Sequence, residues 1–147
     1  MTLLILKGIL FSLLLLLSAL WDLKKREIPD MLPVLILSCG LLCCRPGASL
    51  LGAIATGLPY LAAAVLVNRE GFAIGGGDIK LMAACGFVLG MGGGLLQNIL
   101  SLLLIVLVGA GVAIRRKCKF NSVKMPLAPF FCAGGIFAYA AVLAASI

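Results

Sequence analysis

The sequence predicts an all-α, polytopic membrane protein with about six transmembrane helices, and three observations carry that prediction. Hydrophobic residues make up 63% of the 147 positions before the 18 glycines are counted, against roughly 45–50%, glycine included, in an ordinary soluble domain. They fall in long runs, and a helix needs about 20 apolar residues to cross a hydrocarbon core about 30 Å thick. Charged residues amount to only 12% and sit between the runs. Six spans consume nearly the whole chain, so residues 1–147 read as a single membrane-embedded domain.

The first run, Thr2 to Leu20, is interrupted only by Lys7. No basic segment precedes it, Ser18-Ala19-Leu20 is a poor cleavage site, and Lys24-Lys25-Arg26 follows at once, so it reads as a retained span. Trp21 to Asp30 is a short charged connection, with Trp21 as an interfacial anchor. Pro29 lacks the N–H that a first helical turn leaves unused, and it opens a short second span, Met31 to Cys44. Arg45-Pro46-Gly47 closes that span.

The third span runs from Ala48 to Val67, with a kink expected at Pro59. Asn68 to Asp78 is a polar, glycine-rich connection. Ile79 to Leu89 forms the fourth span, Gly90 to Gly94 a tight turn, and Leu95 to Ile114 the fifth span. Arg115 to Lys119 and Asn121 to Lys124 make a basic loop before the sixth span, Met125 to Ile147, which carries Pro126 and Pro129 near its start.

Twelve basic residues stand against five acids, a formal charge of +7. They form no stripe interleaved with aromatics, so they speak for membrane topology rather than for nucleic acid. The connections 21–30, 68–80 and 115–124 hold Lys24, Lys25, Arg26, Arg69, Lys80, Arg115, Arg116, Lys117, Lys119 and Lys124, leaving only Lys7 and Arg45 elsewhere. Basic residues accumulate on the cytoplasmic side of short loops. Those three connections are therefore expected in the cytoplasm and both termini outside.

The chain has no histidine, which excludes His-based triads, His-centred zinc sites and haem ligation by His. Its six cysteines, Cys39, Cys43, Cys44, Cys85, Cys118 and Cys132, include no C-x-x-C pair. Most lie in apolar runs, where cysteine acts as a small hydrophobe. Carboxylates are left to carry chemistry, and all five lie in the first two cytoplasmic connections: Asp22, Glu27 and Asp30, then Glu70 and Asp78.

Taken singly, Asp22 reads as a loop charge beside Lys24 and Lys25, and Asp78 as a helix N-cap. Carboxylates at a membrane boundary are nevertheless costly unless paired, solvated or functional. Gly75, Gly76 and Gly77 precede Asp78 directly. Without Cβ atoms such a stretch allows close backbone approach and unusual dihedrals. It is not a phosphate-binding loop, because the G-x-x-x-x-G-K-[ST] pattern is missing and an aspartate at a helix start repels phosphate.

Gly75-Gly76-Gly77-Asp78, read as G-x-G-D and followed by Ile79-Lys80-Leu81, resembles the aspartyl motif of type IV prepilin peptidases. Trp21-Asp22 with Ile28-Pro29-Asp30 is similar to that family's first aspartate and its downstream I-P-[ND]. Met125-Pro126-Leu127-Ala128-Pro129-Phe130 is similar to its P-x-[GA]-P-[FY] segment. The resemblance implies a membrane aspartyl endopeptidase with Asp22 and Asp78 as the catalytic pair. Two carboxylates a few ångströms apart cannot both ionise comfortably, so they share a proton and titrate as a unit.

The implied substrate is a prepilin or pseudopilin precursor, cut after a glycine that ends a basic leader, ahead of a hydrophobic segment. Gly75, Gly76, Gly77, Lys80, Asp30, Glu27, Glu70, Pro126 and Pro129 are supporting candidates. Among these, Glu27, Asp30 and Glu70 read as solvated charges or contacts to the leader, Lys80 as a snorkelling interfacial cation, and the two prolines as shaping a helix entry. Membrane lipid is the other expected partner, and no metal or organic cofactor is implied. Longer family members carry a cysteine-paired zinc-binding region associated with N-methylation, whereas the first connection here is short and free of cysteine. Peptidase activity without methyl transfer is therefore expected.

Two rival readings use the same acids. A small ion- or proton-coupled transporter would carry repeated hydropathy and acids near the midplane, while these acids sit at one boundary. A presenilin-like intramembrane protease would place its first aspartate inside a longer span.

Overall fold

The structure, a computed structural model, describes residues 2–42, 45–67, 75–116 and 126–145. Lipid offers the backbone no hydrogen-bond partner, so an apolar chain must satisfy its amides internally. The described residues do so as five α-helices with no strand: α1 Thr2–Lys25, α2 Met31–Gly40, α3 Pro46–Val67, α4 Gly76–Arg116 and α5 Ala128–Ala145.

The expectation of six spans is corrected. Four helices, α1, α3, α4 and α5, are long and apolar enough to cross a membrane. Helix α2 has ten residues, about 15 Å of rise against a core of about 30 Å. Helix α4 has 41 residues and would reach about 60 Å if straight, but Gly90 breaks it with a left-handed φ of 72° and ψ of −178°. A β-carbon on Gly94 would lie 3.2 Å from the Gly86 Cα, although eight residues of straight helix separate atoms by about 12 Å. The chain thus folds back at the glycines read as a turn. The limb before Gly90, at about 21 Å, is too short to count as its own span.

Other boundaries shift too. Helix α1 continues through Lys25, which moves Asp22 from a connection onto a helix. Helix α3 starts at Pro46, two residues earlier than expected, with proline in its first turn. Cys43, Cys44, Glu70 and residues 117–125 fall outside the described residues.

Polar side chains are buried within an apolar core, and large apolar side chains cover the outside. Phe11, Leu15, Ile36, Leu81, Met82 and Phe131 form the centre of the core, yet Ser18, Thr56, Gln97 and Ser101 are as deeply buried. Leu13, Ile99, Leu107 and Phe137 face outward. Since lipid tails give helices no hydrophobic reason to associate, small residues and interhelical hydrogen bonds must hold them. The Thr56 hydroxyl donates to the Met82 carbonyl at 2.8 Å, Gln97 Nε2 to the Phe131 carbonyl at 3.0 Å, and the Tyr139 hydroxyl to the Leu4 carbonyl at 2.6 Å. The second limb of α4 thereby runs beside the start of α5, back toward the end of the bundle where α4 began.

Candidate active site

Helix α1 ends because Arg26 turns left-handed, with φ 55°, while its N–H still donates to the Asp22 carbonyl at 2.8 Å. Asp22 therefore projects from the last turn of α1, and it is only 6% exposed. A buried carboxylate needs donors, and one comes from far along the chain. The Ala128 backbone N–H donates to Asp22 Oδ2 at 3.0 Å.

That donor is free for a local reason. The first N–H groups of a helix have no intrahelical acceptor, and Ala128 is the first residue of α5. Pro129 has no N–H, and the Phe130 and Phe131 amides both take the Leu127 carbonyl, at 3.1 and 3.2 Å. The Ala128 amide is left pointing at Asp22, with the positive end of the helix dipole behind it.

Asp78 belongs to the first turn of α4 rather than to its N-cap. Its N–H donates to the Gly75 carbonyl at 3.0 Å, and a β-carbon on Gly75 would lie 3.2 Å from Asp78 Oδ2. Gly77 meets the other loop directly, since a β-carbon there would lie 3.1 Å from both Cβ and the carbonyl oxygen of Ile28. None of these three glycines has positive φ, so close approach rather than unusual dihedrals explains Gly75 and Gly77. Gly76 faces open space.

The docking of Gly77 on Ile28 brings the two acids into one cleft of about 260 Å³. Asp22, Arg26, Glu27 and Ile28 form one wall, and Gly75, Gly76, Gly77 and Asp78 the other. The two carboxyls are close enough for their charges to interact. Beside the cleft, Lys80 Nζ pairs with Asp30 Oδ1 at 2.8 Å, both side chains more than half exposed. Asp30 makes no side-chain cap on α2, and the ion pair instead links the starts of α2 and α4.

Of the residues singled out from the sequence, Asp22, Asp78, Glu27 and the three glycines share the cleft. Asp30 and Lys80 hold each other, Pro126 and Pro129 flank the donor to Asp22, and Glu70 lies outside the described residues. Two contributors escaped the sequence reading. Arg26 counted only as a topological charge, and the Ala128 amide is invisible to side-chain reasoning, although its P-x-[GA]-P frame was the available signal. The described cysteines Cys39, Cys85 and Cys132 are buried and free, away from the cleft lining.

Comparison with known proteins gives the same direction. The chain is 39% identical over 92 residues to the prepilin leader peptidase/N-methyltransferase of Bacillus subtilis (strain 168). That stretch is 63% of this chain but 36% of the relative, so the chain spans little more than a third of the curated protein it matches. No solved structure matches. The family model for the type IV leader peptidase family matches residues 9–114, most of the chain and both aspartates. By that match the chain belongs to the type IV leader peptidase family.

Proposed function

We propose that this protein is a membrane aspartyl endopeptidase that removes the leader from prepilins or pseudopilins, with Asp22 and Asp78 as its catalytic pair. The observation that carries the reading is the meeting of these two acids, 56 positions apart in sequence, in one cleft at the ends of α1 and α4. One carboxylate of the pair takes a proton from water as the water oxygen attacks the scissile carbonyl carbon. The other, protonated, hydrogen-bonds the carbonyl oxygen. A proton then reaches the leaving amine as the C–N bond breaks.

The orientation proposed is the active cleft toward the cytoplasm and both termini outside, supported by the crowding of basic residues in connections 21–30, 68–80 and 115–124. The cell membrane is then the location. Glu27, on the cleft wall, is the acid best placed to meet a basic leader, since Asp30 is engaged by Lys80. The proposal covers peptide cleavage alone.

The test is a cleavage assay on a matched precursor with Asp78→Asn, which keeps the shape of the side chain and deletes its proton exchange. Cleavage should vanish while membrane insertion persists. A well-expressed Asp78→Asn protein that cleaved at near-normal rate would remove the assignment.

A further inference from the structure

Helix α3 and the first limb of α4 run antiparallel, and their contacts set a register. Gly52 meets the backbone of Gly86, the Thr56 hydroxyl donates to the Met82 carbonyl, and a β-carbon on Gly57 would lie 3.0 Å from the Ala83 Cβ. One turn up α3 from Thr56 is Tyr60, and one turn down α4 from Met82 is Asp78. The register thus brings Tyr60 level with Asp78, near enough for electrostatic interaction between them.

Tyr60 is only 7% exposed. Its ring packs edge-on against Phe131, with centroids 5.5 Å apart and planes at 85°, and Phe131 lies one turn from the Ala128 amide that holds Asp22. The ring is therefore fixed between α4, which carries Asp78, and α5, whose first amide holds Asp22. Its hydroxyl has no hydrogen-bond partner among the described residues. Buried hydroxyls without partners are costly. Asp78, although level with it, makes no hydrogen bond to this hydroxyl.

We propose that Tyr60 is a substrate-binding residue whose O–H donates a hydrogen bond to a backbone carbonyl of the bound precursor, on the mature side of the cut. This rests on the protease reading given above. Arg26 and Glu27 line the open cleft, where a charged leader would stay in water, whereas Tyr60 is buried in the bundle, where a hydrophobic mature segment would have to enter. A peptide carbonyl drawn out of water there needs a donor.

The experiment uses the full chain in lipid nanodiscs and a peptide with a basic leader ending in glycine before a hydrophobic stretch. Tyr60→Phe keeps the ring and its packing on Phe131. It should lower kcat/KM by about tenfold, the worth of one ordinary hydrogen bond, with an unchanged unfolding temperature. In the Asp78→Asn background, where the peptide binds uncleaved, Tyr60→Phe should weaken peptide affinity by about the same factor. An unchanged affinity, or an unchanged kcat/KM, overturns the proposal.

Should Tyr60→Phe fail to fold, fluorinated tyrosines introduced at position 60 vary the donor strength alone. A kcat/KM that tracks fluorination supports the contact, and a flat series overturns it. Failure of the protease reading shows separately, in the variant that leaves Tyr60 intact: an Asp78→Asn protein that still cleaves removes both proposals.

Discussion

Asp22 and Asp78 share a cleft but are supported in opposite ways. Asp22 is almost wholly buried and is held by an amide 106 positions away, at the start of α5. Asp78 is half-buried, and what positions it is its own first helical turn and the glycines that let its loop lie against Ile28. One acid is positioned by a long-range hydrogen bond, the other by the absence of side chains. The lesson is that a pair proposed to act as a unit can be assembled from one anchored member and one that is docked. The two should then fail for different reasons.

The largest effect tests what the pair has in common. Asp22→Asn and Asp78→Asn should each lower precursor cleavage by about 10⁴-fold or more, and the double variant should be scarcely worse than either, as for residues of a single mechanism. Additive losses in kcat/KM would mean that the two acids act separately.

The next breaks the docking side. Gly77→Val puts a branched side chain where even a β-carbon meets Ile28 at 3.1 Å, on its carbonyl as well as its Cβ. A displacement near 1 Å can cost about a hundredfold in rate, and a loss of that order in kcat is expected. Gly76→Ala, facing open space, should cleave at close to the normal rate. Equal behaviour of the two variants in the same assay would dissociate the glycines from positioning.

The anchored side is tested at the backbone. Replacing the Ala128 amide by an ester removes the N–H that reaches Asp22 and leaves every side chain in place. A hydrogen bond to a charged group contributes about 1.5–3 kcal/mol, so cleavage should fall by at least about tenfold. An ester variant with unchanged kcat/KM would show that Asp22 needs no anchor.

The smallest effect is expected at the ion pair beside the cleft. Lys80 and Asp30 are 57% and 71% exposed, and exposed pairs contribute about 0–1 kcal/mol. Asp30→Asn should change kcat/KM by less than about fivefold, and a larger loss would give Asp30 a part in binding the leader.

Much of this was legible in the sequence because it depends on composition and short spacing. Apolar runs marked out helices long enough to cross a membrane, and the confinement of all five acids to two connections marked the candidates for chemistry. Three short motifs in order pointed to the family that the comparison then matched.

The tertiary structure decided the rest. Span number depended on the lengths of α2 and of the first limb of α4, and ten residues and a break at Gly90 leave each shorter than a helix that crosses a bilayer by itself. The end of α1 depended on Arg26 adopting a left-handed φ, which carried Asp22 onto a helix. The partner of Asp22 is a backbone amide, and the partners of Gly77 and Asp30 lie on other elements. A sequence displays which residues can make such contacts through their chemistry. Which of them meet is set only when helices from distant parts of the chain pack, because the free energy of each contact belongs to the pair and not to either residue.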